Sequence, residues 1–217
     1  WHNLEVNARR YPDKAALVFL GTATSYRQLA DAAERLAAHL WSSGVRRGDR
    51  VLLCMQNCPQ WVVAHFAILR ANAVVVPVNP MNRAQELQHY ITDAQARVAI
   101  TTSDLAAELA EASNGLPQAQ GLRHLVVARF LDAFDPEVAG ADAPPDAWRA
   151  WLAAEHPLPH LASGVVRPWS EALAEEGAAP EHVVGSGDLA VLPYTSGTTG
   201  LPKGCMHPHG SLMHNAI

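Results

Sequence analysis

One stretch of the chain concentrates groups that can do chemistry: Tyr194-Thr195-Ser196-Gly197-Thr198-Thr199-Gly200-Leu201-Pro202-Lys203-Gly204. The hydroxyls of Thr195, Ser196, Thr198 and Thr199 can rotate donors onto an anion. The glycines at 197, 200 and 204 let backbone N–H groups approach that anion closely. Lys203 adds a compact positive charge, and Pro202 restrains the backbone just before it. An apolar run, Leu189-Ala190-Val191-Leu192, leads into the loop. The set suits a polyphosphate held at the end of a buried strand. A solvated Gly/Ser/Thr linker would need neither the proline-restrained lysine nor the apolar strand.

Two better-known phosphate motifs do not fit. The Walker pattern G-x-x-x-x-G-K-[ST] is not met, because Lys203 follows a proline and precedes a glycine. Gly185-Ser186-Gly187-Asp188-Leu189-Ala190 formally matches the dinucleotide fingerprint, but it precedes a strand instead of following one, so it reads as a loop. Cys205, His207, His209 and His214 are ligand types for zinc. A Cys-x-His-x-His run in extended chain puts them on alternate sides, and Pro208 stiffens it, so they read as structural. No carboxylate pair or catalytic triad spacing is visible, and no catalytic residue is assigned.

The elements that must position the loop alternate between strand and helix patterns. Ala15–Leu20 reads as a strand ended by Gly21. Ser25 and Gln28 form a capping box, followed by Leu29, Ala33, Leu36, Ala37 and Leu40 at helical spacing, with Gly44 past the helix end. Strands are expected at 50–55, 73–78, 97–101 and 124–128, and helices at 61–71 (with Pro59 at its start), 83–92 and 104–112. Asp49 reads as a turn residue aiming the first of these strands. Trp61 and Phe66 read as core. Near-continuous apolar strands alternating with helices imply an α/β fold: a layered, mostly parallel sheet flanked by helices. Its strand at 188–194 should run into the phosphate loop.

Three regions are expected: an α/β region over 1–131, a Pro/Ala/Trp-rich excursion over 132–187, and a strand, phosphate loop and helix start over 188–217. The excursion reads as short helices and loops, because Trp148, Trp151 and Trp169 each need a packing surface.

Composition narrows the classes. With 217 residues, 49% apolar and 17% charged, the chain can bury a core. A net charge of -5 gives no electrostatic reason to expect nucleic acid as a partner. Three cysteines, an odd number, argue against a disulfide framework and for reduced thiols in a cytoplasmic protein. No secretory signal is seen at the start, which lacks an initiator Met. The most apolar region, 61–78, is interrupted by His65, Arg70, Asn72 and Pro77, too often for a membrane span of ~20 residues.

The run from Tyr194 to Gly204 resembles the signature loop of adenylate-forming enzymes: acyl-CoA synthetases, luciferases and peptide-synthetase adenylation domains. Ser25-Tyr26-Arg27-Gln28-Leu29, Gly44-Val45-Arg46-Arg47-Gly48-Asp49-Arg50-Val51 and Val74-Val75-Val76-Pro77-Val78-Asn79-Pro80 resemble the family's early segments, in the same order. Asn72 departs from a position that is usually glycine and is expected to alter a helix end. The resemblance implies the N-terminal part of the large AMP-binding domain. The adenine, ribose and catalytic-lysine elements are then expected beyond Ile217, and a face left apolar by their absence would promote self-association.

The implied reaction uses ATP, Mg2+ and coenzyme A. A carboxylic acid, read as a fatty acid, attacks the α-phosphorus, pyrophosphate leaves, and the acyl-adenylate passes to the CoA thiol. Thr195, Ser196, Gly197, Thr198, Thr199, Gly200 and Lys203 are the implied ATP phosphate contacts, with Thr198 also toward the magnesium. His209 would begin the helix after the loop, within reach of a substrate pocket. Two alternatives stand beside the CoA ligase: an adenylation domain that loads an amino or aryl acid onto a carrier protein, and a chain that is non-catalytic on its own.

Overall fold

A computed structural model of the chain describes residues 1–134, 143–195 and 200–216. Helix α1 (His2–Arg10) is followed by a hairpin of β1 (Ala15–Phe19) and β2 (Thr22–Ser25). Leu20 and Gly21 make its turn with φ of 47° and 79°, the doubly left-handed geometry that matches strand twist in a two-residue loop. Ser25 then caps α2 (Tyr26–Ser42): its Oγ accepts from Gln28 N at 3.2 Å, and Gln28 Oε1 accepts from Ser25 N at 2.8 Å. The expected capping box is present.

The alternating part follows as β3 (Arg50–Cys54), α3 (Pro59–Arg70), β4 (Val74–Val78), α4 (Ala84–Asp93), β5 (Val98–Thr102), α5 (Ala106–Asn114) and β6 (His124–Ala128). Asp49 works as a turn residue, its Oδ2 accepting from Arg46 N at 2.9 Å. A short 3-10 turn (Phe130–Asp132) precedes α6 (Asp146–Leu152), β7 (Val165–Pro168) and α7 (Trp169–Ala174). The chain then reaches β8 (Leu189–Val191), β9 (Tyr194–Thr195), β10 (Lys203–Gly204), β11 (His207–Pro208) and α8 (His209–Ala216).

Seven strands form the main sheet in the order β11-β8-β4-β3-β5-β6-β7. All neighbours are parallel except β11, which runs antiparallel to β8. The two-residue period of a strand sorts its side chains between two apolar layers. Val51 and Leu53 of β3, Val98 and Ile100 of β5 and Val126 of β6 face the layer containing Leu36 of α2, Ile68 of α3 and Trp169 of α7. Leu52, Ala99, Leu125 and Val127 face the other layer, with Leu87 and Ile91 of α4 and Leu109 of α5. Both faces are covered, which is why these strands read as continuously apolar.

Ahead of the 188–217 segment, the structure departs from the sequence reading in four places. Helix α1 was not expected, and only its Leu4 is buried, so it carries no apolar period to read. The strand at 15–20 belongs to a separate hairpin, not the main sheet. The excursion contributes β7 to the sheet edge, where an alternating exposed pattern and a terminal proline hide it. The three tryptophans do not share one environment: Trp169 is 4% exposed, whereas Trp148 is 53% exposed.

Candidate functional site

The sheet strand does not run unbroken into the phosphate loop. β8 ends at Val191, and Leu192 N donates to Val75 O at 2.8 Å. The chain then re-forms as a small antiparallel hairpin, with Thr195 paired to Lys203 and Tyr194 to Gly204. This stem places Thr195 and Lys203 opposite one another at the mouth of the loop, both exposed. Lys203 therefore sits on a paired strand, correcting its expected place on the loop itself. Gly204 is tightly packed: a Cβ there would lie 3.0 Å from Leu192 Cδ1 and 3.4 Å from Tyr194 Cζ, so the Leu192 side chain would have to shift slightly to admit one. Gly200, on the returning arm, has φ of 137°, which favours glycine. Ser196, Gly197, Thr198 and Thr199 lie outside the described residues.

Helix α4 holds the stem from one side, through residues the sequence reading did not select. Tyr194 donates its hydroxyl to the Asp93 carboxylate at 2.6 Å. His89 Nε2 donates to the carbonyl of Pro202 at 2.8 Å, which places the ring proton on that nitrogen. The Tyr90 and Tyr194 rings lie 4.7 Å apart, and His89 meets Tyr194 edge-on at 5.9 Å. Burial, then the Asp93 carboxylate, raises the Tyr194 pKa and keeps the phenol protonated as a donor. The i,i+4 spacing of His89 and Asp93 shows a shared helix face, but nothing local says that residues 194 and 202 cover it.

The other arm returns to the sheet. Cys205 N donates to Pro193 O at 2.8 Å, and Cys205 Sγ lies 3.7 Å from Thr195 Oγ1. His207 pairs with Val191. His209 begins α8, as expected. The carbonyls of Asp188 and Ser186 accept from His209 N and Gly210 N, at 2.9 and 2.8 Å. Two of the N–H groups that a helix start leaves without an intrahelical partner are thereby satisfied. Burial lowers the His209 pKa, assisted by the N-terminal amine and opposed by Asp188. Arg47 holds that aspartate through both carboxylate oxygens, at 3.0 and 2.8 Å.

This arrangement can present an anion with a lysine ammonium and a threonine hydroxyl. The β9–β10 stem follows the carboxyl end of β8, which is parallel to β4, the end of a strand where ligands of open α/β sheets bind. An apolar groove of about 370 Å³ between Phe19, Phe130, Trp148 and Trp151 shares no residue with it.

The model of the AMP-binding enzyme family matches residues 4–217. The chain belongs to that family. It is 32% identical over 209 residues to the long-chain-fatty-acid–CoA ligase of Bacillus subtilis (strain 168), covering 96% of the chain and 36% of the relative. It is also 32% identical over 216 residues to the phosphinothricin tripeptide synthetase PhsC of Streptomyces viridochromogenes, covering 98% of the chain and 16% of the relative. Among solved structures, a benzoate CoA ligase from Burkholderia xenovorans LB400 superposes with a TM-score of 0.73 at 22% identity, covering 99% of the chain and 35% of that one. At that identity the likeness is one of fold. The chain thus spans about a third of the length of the ligase relatives it matches. Among the described residues, no helix is long and apolar enough to cross a membrane.

Proposed function

We propose that this chain supplies the pyrophosphate side of the site in an ATP-dependent acid–thiol ligase, as part of one AMP-binding domain. The observation that carries the reading is the hairpin stem, which sets Lys203 opposite Thr195 at the loop mouth while α4 pins it from behind. Thr195, Ser196, Gly197, Thr198, Thr199, Gly200 and Lys203 would hold the β- and γ-phosphates of ATP. A magnesium ion arriving with the nucleotide would offset phosphate charge, and Thr198 is its proposed contact. An acid oxygen attacks the α-phosphorus, pyrophosphate departs into the loop, and coenzyme A takes the acyl group from the adenylate. The work asked of the loop is positioning and charge stabilisation. The fatty-acid ligase relatives support a fatty acid as substrate. The equally similar peptide synthetase supports a second reading, in which a carrier-protein thiol replaces coenzyme A.

Calorimetric titration with pyrophosphate and with Mg–ATP tests the reading. Binding is expected, with affinity falling by about tenfold in Lys203→Ala, since a charged contact contributes ~1.5 kcal/mol or more. No binding by the wild-type chain, or equal binding by the variant, would remove the phosphate assignment. In a longer protein containing this chain, acid-dependent ATP–pyrophosphate exchange followed by transfer to free CoA, and not to a carrier protein, separates the two readings.

A further inference from the structure

Asn72 follows α3 with φ of 61°, in the left-handed region, and is 4% exposed. Its Nδ2 donates to the carbonyl of Glu181 at 2.8 Å, and its Oδ1 accepts from Val183 N at 2.9 Å. One carboxamide thus engages a C=O and an N–H two residues apart on one edge of the chain, as a neighbouring strand would. Beside it, Arg70 donates to the carbonyl of Pro180 and pairs with Glu34 at 2.8 Å.

Residues 180–188 therefore form a strap. One end is fastened to the C-terminal end of α3. At the other, Ser186 and Asp188 receive the first N–H groups of α8, and β8 starts at Leu189. The left-handed backbone alone does not call for asparagine, since glycine adopts it without steric cost. The side chain adds two hydrogen bonds that glycine cannot make.

We propose that Asn72 is a positioning residue: its carboxamide fixes the 180–188 strap, and the strap seats both β8, the strand before the phosphate-loop stem, and α8, the helix after it. This structural role stands without the phosphate reading; only its effect on anion affinity rests on that reading.

Hydrogen exchange on the full chain, wild type against Asn72→Gly and Asn72→Asp, tests it. Both replacements tolerate positive φ, so folded variants are expected. A backbone-only role predicts that Asn72→Gly keeps or improves protection everywhere. The clamp predicts roughly tenfold faster exchange at Val183 in Asn72→Gly, the size of one or two net hydrogen bonds. It also predicts about threefold faster exchange at His209 and Gly210, with Leu52 and Ile100 unchanged. Asn72→Asp should loosen the strap further, because its second oxygen faces the Glu181 carbonyl.

Wild-type protection at Val183 in the glycine variant overturns the clamp. A loosened Val183 with unchanged His209 and Gly210 overturns the positioning role. Pyrophosphate affinity, measured separately, should fall about threefold in Asn72→Gly. A wild-type chain that binds no pyrophosphate counts against the proposed function, while the exchange result still decides the role of Asn72.

Discussion

Strands β3 and β8 both lie in the main sheet, and both carry apolar residues, yet they are held in different ways. β3 pairs along its whole length with β4 and along four residues with β5. Val51, Leu52 and Leu53 are fully buried between two helical layers. β8 meets β4 through the single pair Val75 and Val191, and of its three residues only Ala190 is fully buried. On its other side β8 pairs only with the two-residue β11, and the rest of what fixes β8 and the β9–β10 stem is a set of separate polar contacts: Arg47 to Asp188, Tyr194 to Asp93, His89 to Pro202, and the strap carbonyls to α8. Burial of apolar area is non-directional and shared among many neighbours. A hydrogen bond fixes one distance and can be lost singly. Damage at the sheet centre should therefore spread through the whole fold, and damage at the phosphate edge should stay local.

The largest test of that contrast is Leu52→Ala. Removing this fully buried side chain should cost about 2–5 kcal/mol, read as a lower urea midpoint in a transition that stays cooperative. A loss under ~1 kcal/mol would mean the centre is not the close-packed region described.

Next comes pH. Burial, with the charges of the N-terminal amine and His209 assisting, lowers the pKa of His65 to about 4. A histidine depressed in the folded state binds its proton more readily when unfolded. Stability is therefore kept above the unfolded value of 6.5 and lost as pH falls from there toward 4. Between pH 7 and 4.5 the loss should be about 2–3 kcal/mol, and His65→Phe should remove that share of the urea-midpoint shift. Identical pH profiles for wild type and variant would show that His65 is not buried uncharged.

Tyr194→Phe keeps the ring and removes the bond to Asp93. Global stability should fall by only about 1 kcal/mol, while backbone amides at 203–205 lose protection out of proportion to those of β3. An equal loss in both regions would erase the distinction. Lys203→Ala should be the smallest, within about 0.5 kcal/mol of wild type. A lower urea midpoint beyond that would give the exposed lysine a structural role.

The sheet centre was legible because its residues declare themselves locally. Val51-Leu52-Leu53 and Val98-Ala99-Ile100 are apolar on both faces, and Ser25 with Gln28 states a helix start within four residues. The proposed phosphate loop stood out by residue type, since glycines, hydroxyls and a lysine together suit an anion site. Its support did not. His89 and Asp93 look like ordinary polar positions on α4 until residues 194 and 202 arrive. Asn72 marks a helix end, and only the structure shows that Glu181 and Val183 come to its side chain. β7 and the β9–β10 stem are too short to show a period. In each case the missing information is a partner more than a few residues away.

The route of the chain through the sheet also sets an order of assembly. Arg50 finds Val74, and Val51 finds Val98, across one helix or two, so the middle of the sheet closes short loops. Val75, by contrast, must wait for Val191. The entropy of closing a loop rises with its length, and long-range pairings are slow to form. On the ribosome, β3, β4, β5 and β6 can pair while the residues of the phosphate loop are still unsynthesised. The β9–β10 stem is then added to a sheet whose middle is already closed.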